Sequence, residues 1–150
     1  MIAYVTILPP QKRKDVLEEI AKFVVPETVT RSESVTFDVP NLLQSIFLNS
    51  ILSEVLRLEF GSLSVRGVTQ DTTLTVNGTT YAIEKDSIVF IAMSGVHKNP
   101  AIYPDPYTFQ PERFIQFHEQ KSNPDVSCFY KDGVPLKHPL MPWGGGHFMV

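Results

Sequence analysis

A single cysteine, Cys128, has no partner for an intramolecular disulfide, so cysteine usage gives no support to a secreted, disulfide-framed domain. Paired metal ligands are also missing. His97, His118, His138 and His147 are widely spaced with no H-x-x-x-H arrangement, which argues against a zinc site. No basic stripe is present: 13 lysines and arginines are mixed among 16 acids for a net charge of −3, and a nucleic-acid partner gains no support. Met1 to Leu8 is mostly apolar, but Pro9 and Pro10 end the run and Lys12-Arg13-Lys14 follows it. A spanning helix needs about 20 apolar residues, and a secretory signal carries its charge in front, so neither a membrane segment nor a leader is expected here.

There is no internal repeat and no low-complexity tract. What remains is 150 residues, 43% hydrophobic and 19% charged, the composition and size of one globular unit. Twelve prolines, mostly in the second half, predict a loop-rich C-terminal region.

Helical spacing of Val16, Leu17, Ile20, Phe23 and Val24 predicts a helix over Gln11–Val25, stopped by Pro26. Thr28–Phe37 is polar and β-branched and reads as a loop or short strand. The strongest helical pattern is Asn41–Leu58, with Asn41 after Pro40 as its N-cap. On a wheel Phe47, Leu48, Ile51, Leu52, Val55 and Leu58 cover more than half the circumference. Asn49, Ser50, Ser53, Glu54 and Arg57 fill the rest, which predicts a helix buried on most sides with one polar seam. From Leu63 the pattern becomes β. Leu74–Val76 and Thr79–Ile83 flank Asn77-Gly78, a hairpin turn signal because both positions tolerate positive φ. Ser87–Met93 reads as a further strand, and Asn99–Pro111, with four prolines, as an irregular extended segment. Lys131-Asp132-Gly133 is a second turn, before Pro142-Trp143-Gly144-Gly145-Gly146.

Each candidate site residue has an ordinary explanation beside a functional one. Glu54 and Arg57, three apart, share a helix face; on a surface such a pair contributes about 0.5 kcal/mol or less. In an apolar helix the pair lies in a desolvated seam and needs further partners, for which an arginine fork is well suited. Arg113, in Phe109-Gln110-Pro111-Glu112-Arg113-Phe114, is either that arginine or a solvated charge between core phenylalanines. Arg66 either binds an anionic group or faces solvent. Gly144–Gly146 lacks the Lys-Ser/Thr of a phosphate loop and suits backbone approaching something flat and bulky. Cys128 reads as a structural or exposed thiol.

In order, Glu54-x-x-Arg57, Arg66, the hairpin, His97-Lys98-Asn99-Pro100, Tyr103-Pro104-Asp105-Pro106, Phe109-x-Pro111-Glu112-Arg113-Phe114 and Pro142-Trp143-Gly144-Gly145-Gly146 resemble the second half of the cytochrome P450 family. The resemblance runs clearly from about residue 38 to 150, with 1–37 weaker, and identifies the chain as a single C-terminal fragment of a cytochrome P450 domain. It implies an α+β piece of a mainly-α fold: ExxR helix, small antiparallel sheets, a meander and a truncated haem loop. It also implies that Glu54, Arg57 and Arg113 form a structural triad locking the ExxR helix to the meander. Arg66 would contact a haem propionate, Trp143 would head the haem loop, and Gly146 would allow its tight turn.

The implied activity is haem-dependent monooxygenation of a small lipophilic substrate, with O₂ and electrons from a reductase. A full-length parent would be attached to the endoplasmic reticulum membrane, while this chain would be soluble or aggregating. Three features depart from the family pattern. Counting from Trp143, the cysteine that binds iron falls at position 150, where Val150 stands. Phe148 replaces a common second propionate ligand, and the oxygen-activating helix does not occur in the sequence. The expectation is therefore a chain with no metal ligand and no catalytic residue of its own, which does not bind haem stably. The rival reading is a non-catalytic remnant with at most an interaction role.

Overall fold

Proline sets the first boundaries. The computed structural model describes residues 2–26, 35–61, 63–120, 128–136 and 138–143. Helix α1 (Ile2–Ile7) leads into α2 (Pro10–Ala21), where Pro10 sits in the first turn, a position that needs no N–H and favours its fixed φ. Helix α2 ends four residues before the expected Val25. Val24 forms a β-bridge with Phe37, Val25 donates to the Thr36 carbonyl, and a residue preceding proline disfavours helix. The expected loop or strand over Thr28–Phe37 lies largely outside the described residues; its end, Phe37, is in that bridge.

The helix expected over Asn41–Leu58 is two helices. Asp38, not Asn41, caps α3 (Val39–Leu42), its side chain accepting from the Asn41 N–H at 3.3 Å. Ser45 then caps α4 (Ile46–Glu59) by accepting from the Leu48 N–H at 3.3 Å.

Helix α4 keeps the expected desolvated seam around Glu54 and Arg57, but its apolar side is less enclosed than expected. The polar strip is the most buried part: Ser50, Ser53, Glu54 and Arg57 are all buried, whereas Leu52 is 48% exposed. Of its apolar residues only Ile51 and Leu58 are buried, and of the two only Ile51 fully. Ile51 packs with Leu8 and Val16, joining α4 to the α1–α2 connection and to α2, and Phe109 packs against that cluster.

Three two-stranded antiparallel sheets follow. Strand β1 (Leu63–Gly67) pairs with β4 (Ile88–Ala92), and Arg66 stands opposite Val89. Between them β2 (Thr72–Val76) and β3 (Thr79–Ile83) form the expected hairpin, with Asn77 at φ 49° and Gly78 at 78°. Strands β5 (Tyr130–Lys131) and β6 (Val134–Pro135) repeat the device, with Asp132 at 52° and Gly133 at 77°. Two short helices, α5 (Ser94–His97) and α6 (Ile115–Glu119), bracket the irregular segment 98–114. A second core of Ile102, Tyr103, Phe114 and Phe129 sits beneath that segment. Among the described residues no helix is long and apolar enough to cross a membrane.

Candidate functional site

An irregular stretch such as 98–114 has backbone groups that no ladder satisfies, so it needs side chains to organise it. Its prolines reduce the demand for acceptors, since each lacks an N–H; its carbonyls still need donors. Two arginines supply them. Arg57 Nη1 donates to the carbonyls of His97 at 2.7 Å and Pro106 at 2.6 Å. Arg113 donates to the carbonyls of Pro104 at 2.8 Å and of Asp105 and Thr108, each at 3.3 Å. Asp105 itself turns the chain at φ 49°.

Glu54 joins the two cations. Its carboxylate accepts a fork from Arg57, Nε to Oε2 at 2.8 Å and Nη2 to Oε1 at 2.9 Å. Oε1 also accepts from Arg113 Nε at 3.0 Å and the Gln110 N–H at 3.1 Å. Glu54 and Arg57 are fully buried and the Arg113 side chain is only 6% exposed. Isolated buried charges are costly; here one carboxylate, two guanidiniums and five carbonyl oxygens supply the compensating bonds.

Three further residues complete the cluster, and their individual side-chain functions were not apparent in the sequence. The Tyr103 ring lies under both guanidinium carbons, 5.0 Å from that of Arg57 and 6.0 Å from that of Arg113, and its hydroxyl donates to Pro139 O at 2.6 Å. Burial holds the Tyr103 phenol well above its ordinary range, so it stays a donor. Ser50 Oγ donates to Pro111 O at 2.6 Å and accepts from the Phe114 N–H at 3.0 Å. His97 Nε2 accepts from the Met141 N–H at 3.0 Å, which leaves Nδ1 to donate to the Phe60 carbonyl at 3.3 Å. An Nε2 that accepts from Met141 requires a neutral ring, and burial, against the opposing Phe60 hydrogen bond and with Arg57 and Lys98 adding to it, pushes the His97 pKa down in agreement. Spacing could have flagged Ser50 as part of the polar strip. Tyr103 and His97 stood out only as members of sequence blocks.

The other expected site residues lie apart from this cluster. Arg66 projects from exposed β1, its Nη1 donating to the Val65 carbonyl at 2.9 Å, and among the described residues it forms no salt bridge. Trp143 is 64% exposed, with its ring edge-on to Phe60 at 4.4 Å. Gly146, His147, Phe148 and Val150 lie outside the described residues. Cys128 is half-buried against the Tyr103–Phe114 core, where burial raises its pKa; that disfavours the thiolate a metal would need. Among the described residues no group of histidine, cysteine and acid side chains could hold a metal ion.

Comparison with known proteins agrees with this architecture. The family model described as Cytochrome P450 matches residues 7–129. Cytochrome P450 7A1 of Sus scrofa is 34% identical over 147 residues, covering 94% of this chain and 28% of that protein. Prostacyclin synthase of Homo sapiens is 34% identical over 128 residues, covering 82% of this chain and 23% of that protein. Among solved structures, retinoic acid-bound cyanobacterial CYP120A1 superposes with a TM-score of 0.56 at 25% identity, over 97% of this chain and 28% of that one. The chain thus spans about a quarter of the length of such relatives. With its α+β arrangement of ExxR helix, small antiparallel sheets and arginine-bound meander, the chain belongs to the cytochrome P450 family.

Proposed function

We propose that the chain supplies the haem-supporting framework of a monooxygenase that oxidises a small lipophilic substrate, using O₂ and electrons delivered by a reductase. The observation that carries this reading is the buried Glu54 cluster. Glu54, Arg57 and Arg113 act as a structural triad that fixes α4 against segment 98–114. Relatives named for cholesterol and 7-alpha-hydroxycholest-4-en-3-one agree with a lipophilic substrate. Bound haem would supply the oxygen-activating iron. The periphery fits such a group: Arg66 has donors to spare for a carboxylate, and the exposed Trp143 ring offers an apolar face. Gly146 would turn the following loop. The iron ligand does not fit, because Val150 has no lone pair to donate.

That one residue favours a second reading, in which this chain, with valine at 150, is non-catalytic and has at most an interaction role. Both readings meet in one experiment: haemin titration followed by the absorption spectrum of the reduced, carbon monoxide-bound form. The unmodified chain is expected to give no thiolate-type Soret band, and Val150→Cys to bind haemin more tightly and gain that band. A thiolate-type band from the unmodified chain would exclude the non-catalytic reading. Haemin affinity unaltered by both Val150→Cys and Arg66→Ala would remove the haem assignment.

A further inference from the structure

The His97 ring lies between two backbone groups that have no other way to be satisfied within their own elements. Phe60 is the C-cap residue of α4, beyond the reach of intrahelical N–H groups, and its carbonyl faces Nδ1 at 3.3 Å. Met141 belongs to the irregular stretch 138–143, and its N–H points at Nε2 at 3.0 Å. One planar ring can serve both only as the neutral Nδ1–H tautomer, donating at one nitrogen and accepting at the other. The ring is fully buried, so water cannot substitute. Its own carbonyl is meanwhile held by Arg57 at 2.7 Å, which ties its position to the ion cluster.

The two groups bridged by His97 bracket Trp143. Met141 precedes Trp143 by two residues, with Pro142 stiffening the step, and Phe60 carries the ring on which the indole rests at 4.4 Å. We propose that His97 is the positioning residue for Trp143: it clamps the strand of chain leading into Trp143 to the end of α4 and so sets where the indole stands. The bridge stands on its own geometry; its bearing on a haem pocket rests on the functional reading above.

Three measurements on the 150-residue chain test the bridge without haem. Nitrogen-15 shifts of labelled histidine should show His97 as the Nδ1–H tautomer; the Nε2–H tautomer overturns the proposal, and this needs no variant. Met141 amide exchange and collisional quenching of Trp143, the sole tryptophan, then read the two ends of the clamp. His97→Gln places an amide oxygen near the Nε2 position, whereas His97→Asn keeps only a donor near Nδ1. Exchange at Met141 should accelerate about tenfold in His97→Asn, the effect of losing one hydrogen bond, with Trp143 quenched more readily, and both should return towards normal in His97→Gln. Equal exchange in His97→Asn and the unmodified chain, or no recovery in His97→Gln, overturns it. Because haem enters none of these readouts, a failed clamp and a failed haem assignment appear in different experiments.

Discussion

Glu54 Oε1 accepts three hydrogen bonds, from Arg57, Arg113 and the Gln110 N–H, and no water reaches the carboxylate. Removing one cation therefore leaves a buried anion underpaired as well as removing an attraction. Arg113→Ala should cost roughly 3–5 kcal/mol, because it also strands the carbonyls of Pro104, Asp105 and Thr108. Denaturant unfolding measures this directly; a loss under about 1 kcal/mol would mean that the pair behaves as a surface ion pair. His97 sets a pH limit through the opposite logic. Its folded pKa lies below the ordinary 6.5, so the unfolded chain takes up the proton first as pH falls. Its contribution is fully present above pH 6.5 and declines below it, by at most about 1.4 kcal/mol per pH unit, until the folded ring also titrates. The charged groups acting on it, Arg57 and Lys98, both oppose protonation. His97→Gln should flatten the stability profile between pH 6.5 and the acid range; an unchanged slope would assign it to other groups.

At the scale of elements, the turns depend on conformations that few side chains accept. Gly78 stands at φ 78° with open space where a Cβ would go, so Gly78→Ala meets no clash and bears only the left-handed backbone penalty, about 1 kcal/mol. Gly67 in β1 also has open space and no positive φ, so Gly67→Ala should be neutral or slightly stabilising. Faster amide exchange across β2–β3 in the first variant only would bear this out, and equal effects would refute it. Such turns were legible in the sequence because Asn-Gly and Asp-Gly encode a local backbone need. The α3–α4 break was not legible, since Asp38, Asn41 and Ser45 are all competent caps and packing chooses among them. The wheel of α4 sorted its residues into polar and apolar and placed Glu54 and Arg57 in a desolvated seam, but it overstated how much of the apolar side is covered. Hydrogen bonds to segment 98–114 enclose the polar strip, and those partners lie at least 49 residues away in sequence. Helices α5 and α6 carry too few residues for any periodic signal. For the site, the Glu54–Arg57 spacing was visible, Arg113 needed the family resemblance, and the roles of Tyr103 and His97 required three dimensions.

At the scale of the whole molecule, the described residues leave apolar surface open. On β1–β4 the directly opposed Val65 and Phe90 share one face with Leu63 and Ile88, and all four are roughly half or more exposed. A separate, largely apolar groove beside α4 is lined by Ile20, Phe37, Leu42, Leu43, Leu48 and Leu52, with Asn49 as its polar member. Soluble monomers rarely leave apolar areas of this kind open, and two of them on one small chain give association a route that does not close on a single dimer. The chain at high micromolar concentration should therefore scatter light as a mixture of oligomers. Leu52→Glu and Phe90→Glu, each placing charge on one surface without touching the Glu54 cluster, should lower the mean mass separately and most strongly together. A monodisperse monomer from the unmodified chain would show instead that these surfaces are covered in solution by the chain itself.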